Sequence, residues 1–213
     1  MIIELKLKRS RRDMDTHPNY RVLDLFSGYG GFALGLRLAG LDATTVCYVE
    51  WDKYCQQVIQ QRQRDGLLDD APIFGGDIRN FDGRPWRGCV DLTVAGFPCQ
   101  PHSMAGARKI ARGLSDDRDL WPDTLRIISE VGSGIVILEH FPGLLVSDGK
   151  RPAYASIVVG ELASIGYDAE WRIVSASEAG APHLRKRWWL VAHSNTDECR
   201  RLHGGSEVIS AIR

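Results

Sequence analysis

The sequence lacks the features that mark several large classes of protein. Its 213 residues contain no apolar run near the ~20 residues needed to cross a membrane, and the N-terminal segment has no signal-peptide core. The five cysteines are odd in number and show no C-x-x-C spacing, so we expect no zinc or other metal site, no disulfide framework and a reducing, cytoplasmic setting. Basic and acidic residues balance at 27 each, so overall charge gives no signature of a polyanion binder.

What the sequence does contain is an alternation of strand and helix patterns. This alternation predicts an α/β fold, with a mostly parallel seven-stranded sheet and helices on both faces. Two long connections, 100–119 and 175–186, are typical of functional loops. The predicted strands are 21–26, 45–49, 73–75, 90–95, 135–138, 169–174 and 187–192, and the predicted helices are 31–39, 52–64, 120–131 and 153–165.

The same patterns suggest one domain with two flanking segments. Residues 1–20 form a basic arm, for which a solvated segment is the first interpretation and phosphate contact the alternative. Residues 21–193 carry the alternating elements and make up the folded domain. Residues 194–213 are polar and without a clear pattern.

A thiol follows the fourth predicted strand, in the run Gly96-Phe97-Pro98-Cys99-Gln100. Pro98 cannot donate to a strand ladder, so the strand ends here and the chain turns. This turn presents Cys99 at the carboxyl edge of the sheet, where open α/β folds bind their ligands. The alternative is a buried structural cysteine, which local sequence alone leaves equally open.

A glycine-rich turn joins the first strand to the first helix. Gly28 and Gly30 let backbone N–H groups approach a ligand at the helix N-terminus, and with Ala33 they satisfy the dinucleotide-binding spacing. Glu50 ends the second strand, where the hydroxyls of a ribose need an acceptor. Together these residues indicate an adenosine-containing cofactor without saying which one, and a simple tight turn is the alternative.

Two further side chains fit the same interpretation. Trp51 offers a stacking face, and Asp77, in Gly75-Gly76-Asp77-Ile78, can accept from an adenine amino group. Each also has a structural alternative, a half-buried core tryptophan for Trp51 and a turn cap for Asp77.

Polar residues also flank the later strands. Glu139 directly follows the run 135–138 and is well placed for proton chemistry, although a surface glutamate is the alternative. Arg185 and Arg187 precede the last strand, where guanidinium groups can hold a carbonyl oxygen or a phosphate. For these two arginines, a generic basic turn is the simpler interpretation when they are taken alone.

Taken in chain order, these segments resemble the motifs of the cytosine-C5 DNA methyltransferases, over about residues 21–192. The nucleophile motif is the most specific, and it reads Gly-Phe-Pro-Cys-Gln-Pro-His-Ser at 96–103. Two departures stand out: His140-Phe141 replaces the usual Asn-Val after Glu139, and His183 replaces the usual Gln of Gln-x-Arg-x-Arg. The other matching segments are Asp-Leu-Phe-Ser-Gly-Tyr-Gly-Gly at 24–31, Glu-Trp-Asp at 50–52 and Gly-Asp-Ile at 76–78.

The resemblance implies a Rossmann-like, S-adenosylmethionine-dependent fold and a chemistry for each motif. Cys99 would add to C6 of a cytosine flipped out of double-stranded DNA, while Glu139 acts at N3. Arg187, and less directly Arg185, would bind O2. Arg108, Lys109, Arg112 and Arg118, in the 100–119 loop, would lie against the DNA phosphates. The implied S-adenosylmethionine site comprises Phe26, Ser27, Gly28, Gly30, Gly31, Glu50, Trp51, Asp77, Ile78 and Leu120.

The resemblance also suggests that the sequence corresponds to the catalytic half of such an enzyme. Family members continue into a target-recognition domain, so we expect a missing region that begins near 194, or a second polypeptide that supplies it. Two alternatives remain: a catalytically inactive remnant that keeps the fold and binds the cofactor, and a nucleotide-dependent oxidoreductase. The oxidoreductase would leave the Pro-Cys-Gln segment without a role.

Overall fold

The computed structural model of the protein describes residues 19–98, 119–147 and 152–195. Cys99, the 100–118 segment and most of both flanking segments therefore lie outside the described residues. The strands are β1 (Tyr20–Leu25), β2 (Ala43–Val49), β3 (Ile73–Phe74), β4 (Leu92–Ala95), β5 (Ile135–His140), β6 (Tyr167–Ser175) and β7 (Lys186–Ser194). The α-helices are α1 (Gly31–Leu38), α2 (Lys53–Arg64), α3 (Trp121–Val131) and α4 (Tyr154–Ser164), and three short 3-10 helices span Ile78–Asn80, Arg84–Trp86 and Pro142–Leu145.

The strands form one seven-stranded sheet in the order β3-β2-β1-β4-β5-β7-β6. Strands β1 to β5 pair in parallel, whereas β7 runs antiparallel to both of its neighbours. The predicted mostly parallel sheet is therefore confirmed. The glycine-rich turn lies at the carboxyl edge of β1, next to β4, at the point where the strand order reverses direction, and this is where open α/β sheets bind ligands.

Helices cover both faces of the sheet, which explains why β1 and β4 appear in the sequence as apolar runs and not as alternating patterns. On one face, Leu23 and Leu25 of β1 pack in a core with α3 and α4. On the other face, Val22 of β1 packs with β4 and with Phe32 of α1. Within the three described stretches, no helix has the length and apolarity needed to span a membrane.

Strand β5 runs two residues further than its sequence pattern predicts. It continues to His140 because the antiparallel partner β7 pairs Glu139 with Trp189 and His140 with Trp188, beyond the point where β4 ends at Ala95. Glu139 is thus a strand residue held in a ladder and not a residue of the following loop. This register fixes its position relative to the start of β7.

Candidate active site

A cavity of about 420 Å³ opens at the carboxyl edge of β1, β2 and β4. Six of the ten predicted cofactor residues contribute to its wall. The wall also contains four residues that were not predicted, Val49, Gly76, Arg79 and Pro98. The full lining is Phe26, Val49, Glu50, Trp51, Gly76, Asp77, Ile78, Arg79, Pro98 and Leu120.

The glycine-rich turn is shaped by left-handed backbone conformations. Gly28 has φ 53° and Gly30 has φ 77°, values that glycine adopts at little cost. A Cβ at Gly30 would also lie 2.5 Å from Leu68 Cδ1, so glycine is needed there for packing as well. Phe26 has φ 55°, which is a strained conformation for a residue with a side chain. The turn therefore holds the Phe26 ring in the cavity wall by means of an unfavourable backbone geometry.

Glu50 holds this turn in place. Its Oε2 accepts a hydrogen bond from the Gly28 N–H at 2.7 Å, and its Oε1 accepts one from the Asp52 N–H at 2.7 Å. Asp52 in turn caps α2, because its Oδ1 accepts from the N–H groups of Tyr54 and Cys55 at 2.8 and 2.9 Å. One carboxylate thus ties the glycine-rich turn to the start of α2 while lying in the cavity wall.

The predicted residues outside the cavity wall have other contacts. The Ser27 side chain is buried; its hydroxyl donates to the Asp24 carbonyl at 2.7 Å and accepts from the Val49 N–H at 3.2 Å. Gly31 begins α1 and lines a different cavity, described below. A contact between the cofactor and Ser27, Gly28, Gly30 or Gly31 stays a prediction.

Asp77, Ile78 and Leu120 also line the cavity. Asp77 caps the 3-10 helix that follows it, because its Oδ1 accepts from the Arg79 N–H at 3.0 Å. The Arg79 Nε lies 3.4 Å from the same oxygen. Asp77 thus has the capping role offered as its structural alternative, and the residue also lines the cavity. These two roles are compatible, because a carboxylate can accept several hydrogen bonds.

Asp24 is a polar residue of this region that the sequence did not single out. It is fully buried in β1, and neither carboxylate oxygen has a hydrogen-bond partner among the described residues. Burial, and secondarily the charge of Glu50, raises the pKa of Asp24 well above its ordinary value. The signal in the sequence was an acidic residue inside an apolar strand, Val-Leu-Asp-Leu-Phe, where an unpaired carboxylate is costly.

Glu139 and Arg187 form an ion pair at the same edge of the sheet. The Arg187 Nε lies 2.7 Å from Glu139 Oε1, and each side chain is about one quarter exposed, at 25% and 26%. Burial raises the pKa of Glu139, although Arg187 and Arg185 act in the opposite direction. A raised pKa makes this carboxyl group hold its proton more readily than an ordinary glutamate does.

The backbone that leads to Cys99 passes directly beside this pair. A Cβ placed on Gly96 would lie 3.6 Å from Glu139 Oε2. The next residue, Phe97, is buried between two aromatic rings, with its centroid 4.6 Å from that of His140 and 5.4 Å from that of Trp121. His140, which departs from the usual motif, thus supports the segment before Cys99. Cys99 itself lies outside the described residues.

A second cavity, of about 610 Å³, lies on the α1 face of the sheet. Its wall is mainly apolar and comes from α1 and from the ends of β5, β6 and β7. Glu139, Arg185 and Arg187 are the charged residues in this wall. The structure therefore brings all three to one place, and Gly31 lines the same space. His183, the second departure from the motif, is exposed in the turn before β7.

Comparison with known proteins gives a consistent assignment. The family model described as C-5 cytosine-specific DNA methylase matches residues 20–209. The Type II methyltransferase M.NgoMIV of Neisseria gonorrhoeae is 34% identical over 173 residues, which are 81% of this chain and 51% of the relative. M.PspPI of Psychrobacter sp. (strain TA137), also a Type II methyltransferase, is 35% identical over 184 residues, which are 84% of this chain and 41% of the relative. The chain spans about half the length, or less, of these curated relatives.

Solved structures support the fold. A mutant of DNMT2 from Spodoptera frugiperda superposes with a TM-score of 0.66 at 19% identity, over 84% of this chain and 51% of that one. Dnmt2 from S. pombe gives a TM-score of 0.63 at 23% identity, over 84% and 52% of the two chains. The Rossmann-like methyltransferase fold is thus confirmed, and the family match favours a methylase over the oxidoreductase alternative. Because its family model covers nearly the whole folded region, the chain belongs to the C-5 cytosine-specific DNA methylase family.

Proposed function

We propose that this chain carries the catalytic centre of an enzyme that transfers a methyl group from S-adenosylmethionine to C5 of cytosine in DNA. The observation that carries the proposal is the Glu139–Arg187 pair, which lies beside the strand leading to Cys99 and at the same sheet edge as the 420 Å³ cavity. An acid, a cation and a cofactor cavity meet at this edge, and together with the thiol of Cys99 these are the groups that this reaction requires.

The cavity fits the adenosine part of S-adenosylmethionine. Its volume lies within the range of about 300–1,000 Å³ that is usual for small-molecule sites. Glu50 can accept from the ribose hydroxyls, and Asp77 can accept from the adenine amino group. Phe26, Ile78 and Leu120 supply apolar surface for the base. When it is bound there, S-adenosylmethionine supplies an electrophilic methyl group.

The chemistry of the base calls for a nucleophile and an acid. Cytosine C5 is a weak nucleophile, so the Cys99 thiolate adds to C6, forming a C–S bond and moving an electron pair toward N3. Glu139 donates a hydrogen bond or a proton to N3, which its raised pKa favours. Arg187 stabilises the charge that develops at O2. After C5 accepts the methyl group, the C5 proton leaves and the C–S bond breaks to restore the ring.

The proposed substrate is double-stranded DNA. C5 and C6 cannot be reached inside a stacked duplex, so the target base must be flipped out toward Glu139. Arg108, Lys109, Arg112 and Arg118 are proposed to contact phosphates. Sequence recognition is assigned to another part of the protein or to a second polypeptide. The competing proposal is a form that binds the cofactor without catalysis.

Calorimetry tests the cofactor part of this proposal. We expect the chain to bind S-adenosylmethionine and its demethylated product, S-adenosylhomocysteine, and not to bind NAD, because the family match favours a methylase over an oxidoreductase and Glu50 and Asp77 lie in one cavity of about 420 Å³. Binding of NAD together with no binding of either sulfur compound would contradict the assignment.

Covalent trapping tests the nucleophile. When the part that supplies sequence recognition and S-adenosylmethionine are both present, a duplex that carries 5-fluorocytosine at the target should become bonded to this chain, because fluorine cannot leave as a proton does. Cys99→Ser should abolish this bond, whereas the controls Cys47→Ser and Cys55→Ser should retain it. Trapping that persists without Cys99 would exclude the chemistry, and cofactor binding without any trapping would favour the non-catalytic alternative.

A further inference from the structure

We propose that Arg126, on α3, is a positioning residue that holds the adenine-facing wall of the cofactor cavity and so sets the preference for adenine over other bases. The inference rests on the proposed function, because it assumes that the cavity binds the adenosine part of S-adenosylmethionine. Arg126 does not line the cavity itself.

The guanidinium of Arg126 binds three backbone carbonyls of one short segment. Its Nη2 donates to the carbonyls of Ile78 and Arg79 at 3.2 and 3.3 Å, and its Nη1 donates to that of Phe81 at 3.0 Å. Ile78 and Arg79 are both wall residues of the cavity. A planar guanidinium with five donors can make such a set of contacts, whereas a lysine ammonium cannot reproduce its geometry.

Neighbouring carboxylates on α3 orient this guanidinium. Both oxygens of Glu130 lie 3.1 Å from Arg126 Nη1, and Asp123 Oδ1 lies 3.6 Å from Nη2. Glu130 Oε2 also accepts from the Gly83 N–H at 2.8 Å. The three side chains are partly buried, between 21% and 34% exposed, so solvent screens them only in part. Together they tie residues 78–83 to α3.

The side chains of Ile78 and Phe81 are buried in the core, but the regular secondary structure around the segment is short. The strand before it, β3, contains only Ile73 and Phe74 and pairs with β2 at these two positions. The 3-10 helix Ile78–Asn80 is three residues long, too short to satisfy its own terminal carbonyls. Among the described contacts, those of Arg126 join the carbonyls of Ile78 and Arg79 to α3, so they hold the backbone next to Asp77 from that side.

Helix α3 also positions Leu120, a second apolar residue of the cavity wall. Leu120 immediately precedes α3, and its carbonyl accepts from Thr124 Oγ1 at 2.7 Å. Leu120 and Ile78 both line the cavity, so one helix fixes both of these apolar walls, directly for Leu120 and through Arg126 for Ile78. Arg126 thereby sets the position of the Asp77 carboxylate relative to the amino edge of the bound adenine.

The test compares two ligands that differ at that edge. S-adenosylhomocysteine carries the amino group that Asp77 can accept from, whereas S-inosylhomocysteine carries a carbonyl there. Wild-type protein should bind the adenosine compound more tightly by about tenfold or more, the size of one hydrogen bond. Arg126→Met should reduce this ratio to within about twofold of one, because Asp77 is no longer held in register.

Arg87 provides a matched control. Its Nη2 donates to the Ser129 carbonyl at 2.6 Å, so it also joins the 78–91 region to α3, but it does not hold a wall residue. Arg87→Met should change thermal stability while leaving the ligand ratio at its wild-type value. If Arg126 contributes only to stability, the affinities of Arg126→Met for the two ligands should fall equally, and their ratio should stay unchanged.

Two further variants keep the test decisive if Arg126→Met does not fold. Arg126→Lys keeps the charge but loses the planar set of guanidinium donors. Glu130→Gln removes the charge that orients Arg126. Both variants should therefore lower the ratio of the two ligand affinities partially. An unchanged ratio in every folded Arg126 and Glu130 variant, or an equal fall in Arg87→Met, would overturn the inference. Failure of the wild-type protein to bind S-adenosylhomocysteine would instead overturn the proposed function.

Discussion

Two glutamates stand at the same edge of the sheet, and they are held in different ways. Both oxygens of Glu50 accept backbone N–H groups, from the turn after β1 and from the start of α2. Glu139 pairs with a side chain, the guanidinium of Arg187. A carboxylate bound to two backbone groups cannot move unless the fold moves, whereas one that faces a side chain can exchange its partner. The first arrangement suits binding, and the second suits a group that must change its protonation.

The largest effect should come from Glu139. Glu139→Gln keeps the size of the side chain but removes the proton that the acid supplies, so methyl transfer should fall by about 10²-fold or more. Affinity for S-adenosylhomocysteine should change by less than about twofold, because Glu139 does not line the 420 Å³ cavity. Single-turnover assays and calorimetry measure the two effects. An equal loss of both would mean that Glu139 is a binding or folding residue like Glu50.

Substitution of Glu50 should change ligand affinity and stability rather than methyl transfer, and these changes should be smaller than the loss expected at Glu139. In Glu50→Gln, an amide NH2 group replaces one carboxylate oxygen and cannot accept a hydrogen bond from a backbone N–H. The turn at Gly28 therefore loses a hydrogen bond. Affinity for S-adenosylhomocysteine should fall by about tenfold and the free energy of unfolding by about 1–2 kcal/mol. Glu178→Gln is the matched control, because Glu178 Oε2 accepts from the Ser175 N–H at 3.0 Å, outside the wall of this cavity. If the control weakens ligand binding equally, the special role of Glu50 is wrong.

Asp24 should give the smallest effect, visible as a pH dependence of stability. Its pKa is raised in the folded state, so as pH rises above the ordinary value of 3.8 the unfolded state ionises first and gains stability. Wild-type protein should therefore lose unfolding free energy between about pH 4 and the raised pKa, and Asp24→Asn should not. The variant should match wild type near pH 4 and be more stable than wild type at pH 8, as measured by urea unfolding. Parallel pH profiles for the two proteins would contradict this.

The sequence predicted the elements well, because both-face burial produces continuous apolar runs that are easy to locate. It also singled out Glu50 and Asp77, which line the cavity, and Glu139, which pairs with Arg187, since acidic residues at strand ends are exceptions to that pattern; their roles stay predictions. It could not predict what these groups contact, because the Glu50–Gly28 bond joins residues 22 positions apart and the Arg126 contacts span 45–48 positions.

Contacts between distant residues also decide two features that the local sequence pattern leaves ambiguous. Ser27 lies in a ligand-binding motif, but its hydroxyl binds the backbone of β1 and β2, which only the packed sheet reveals. Strand β5 continues past Leu138 because of its pairing with β7, a strand about 50 residues later. In both cases the deciding interaction is between strands and leaves no trace in the local sequence.

The reversed direction of β7 has a consequence for how the opening beside Glu139 can vary. Nine residue pairs hold β6 and β7 together, so the register of Arg187 is set by the hairpin and not by the turn at 176–185. That turn ends at the residues beside Glu139, and Arg185 and Ala176 line the adjoining cavity. Insertions or deletions in the turn can therefore reshape the rim of the opening while the hairpin keeps the ion pair in place, as hairpin loops generally tolerate changes in length.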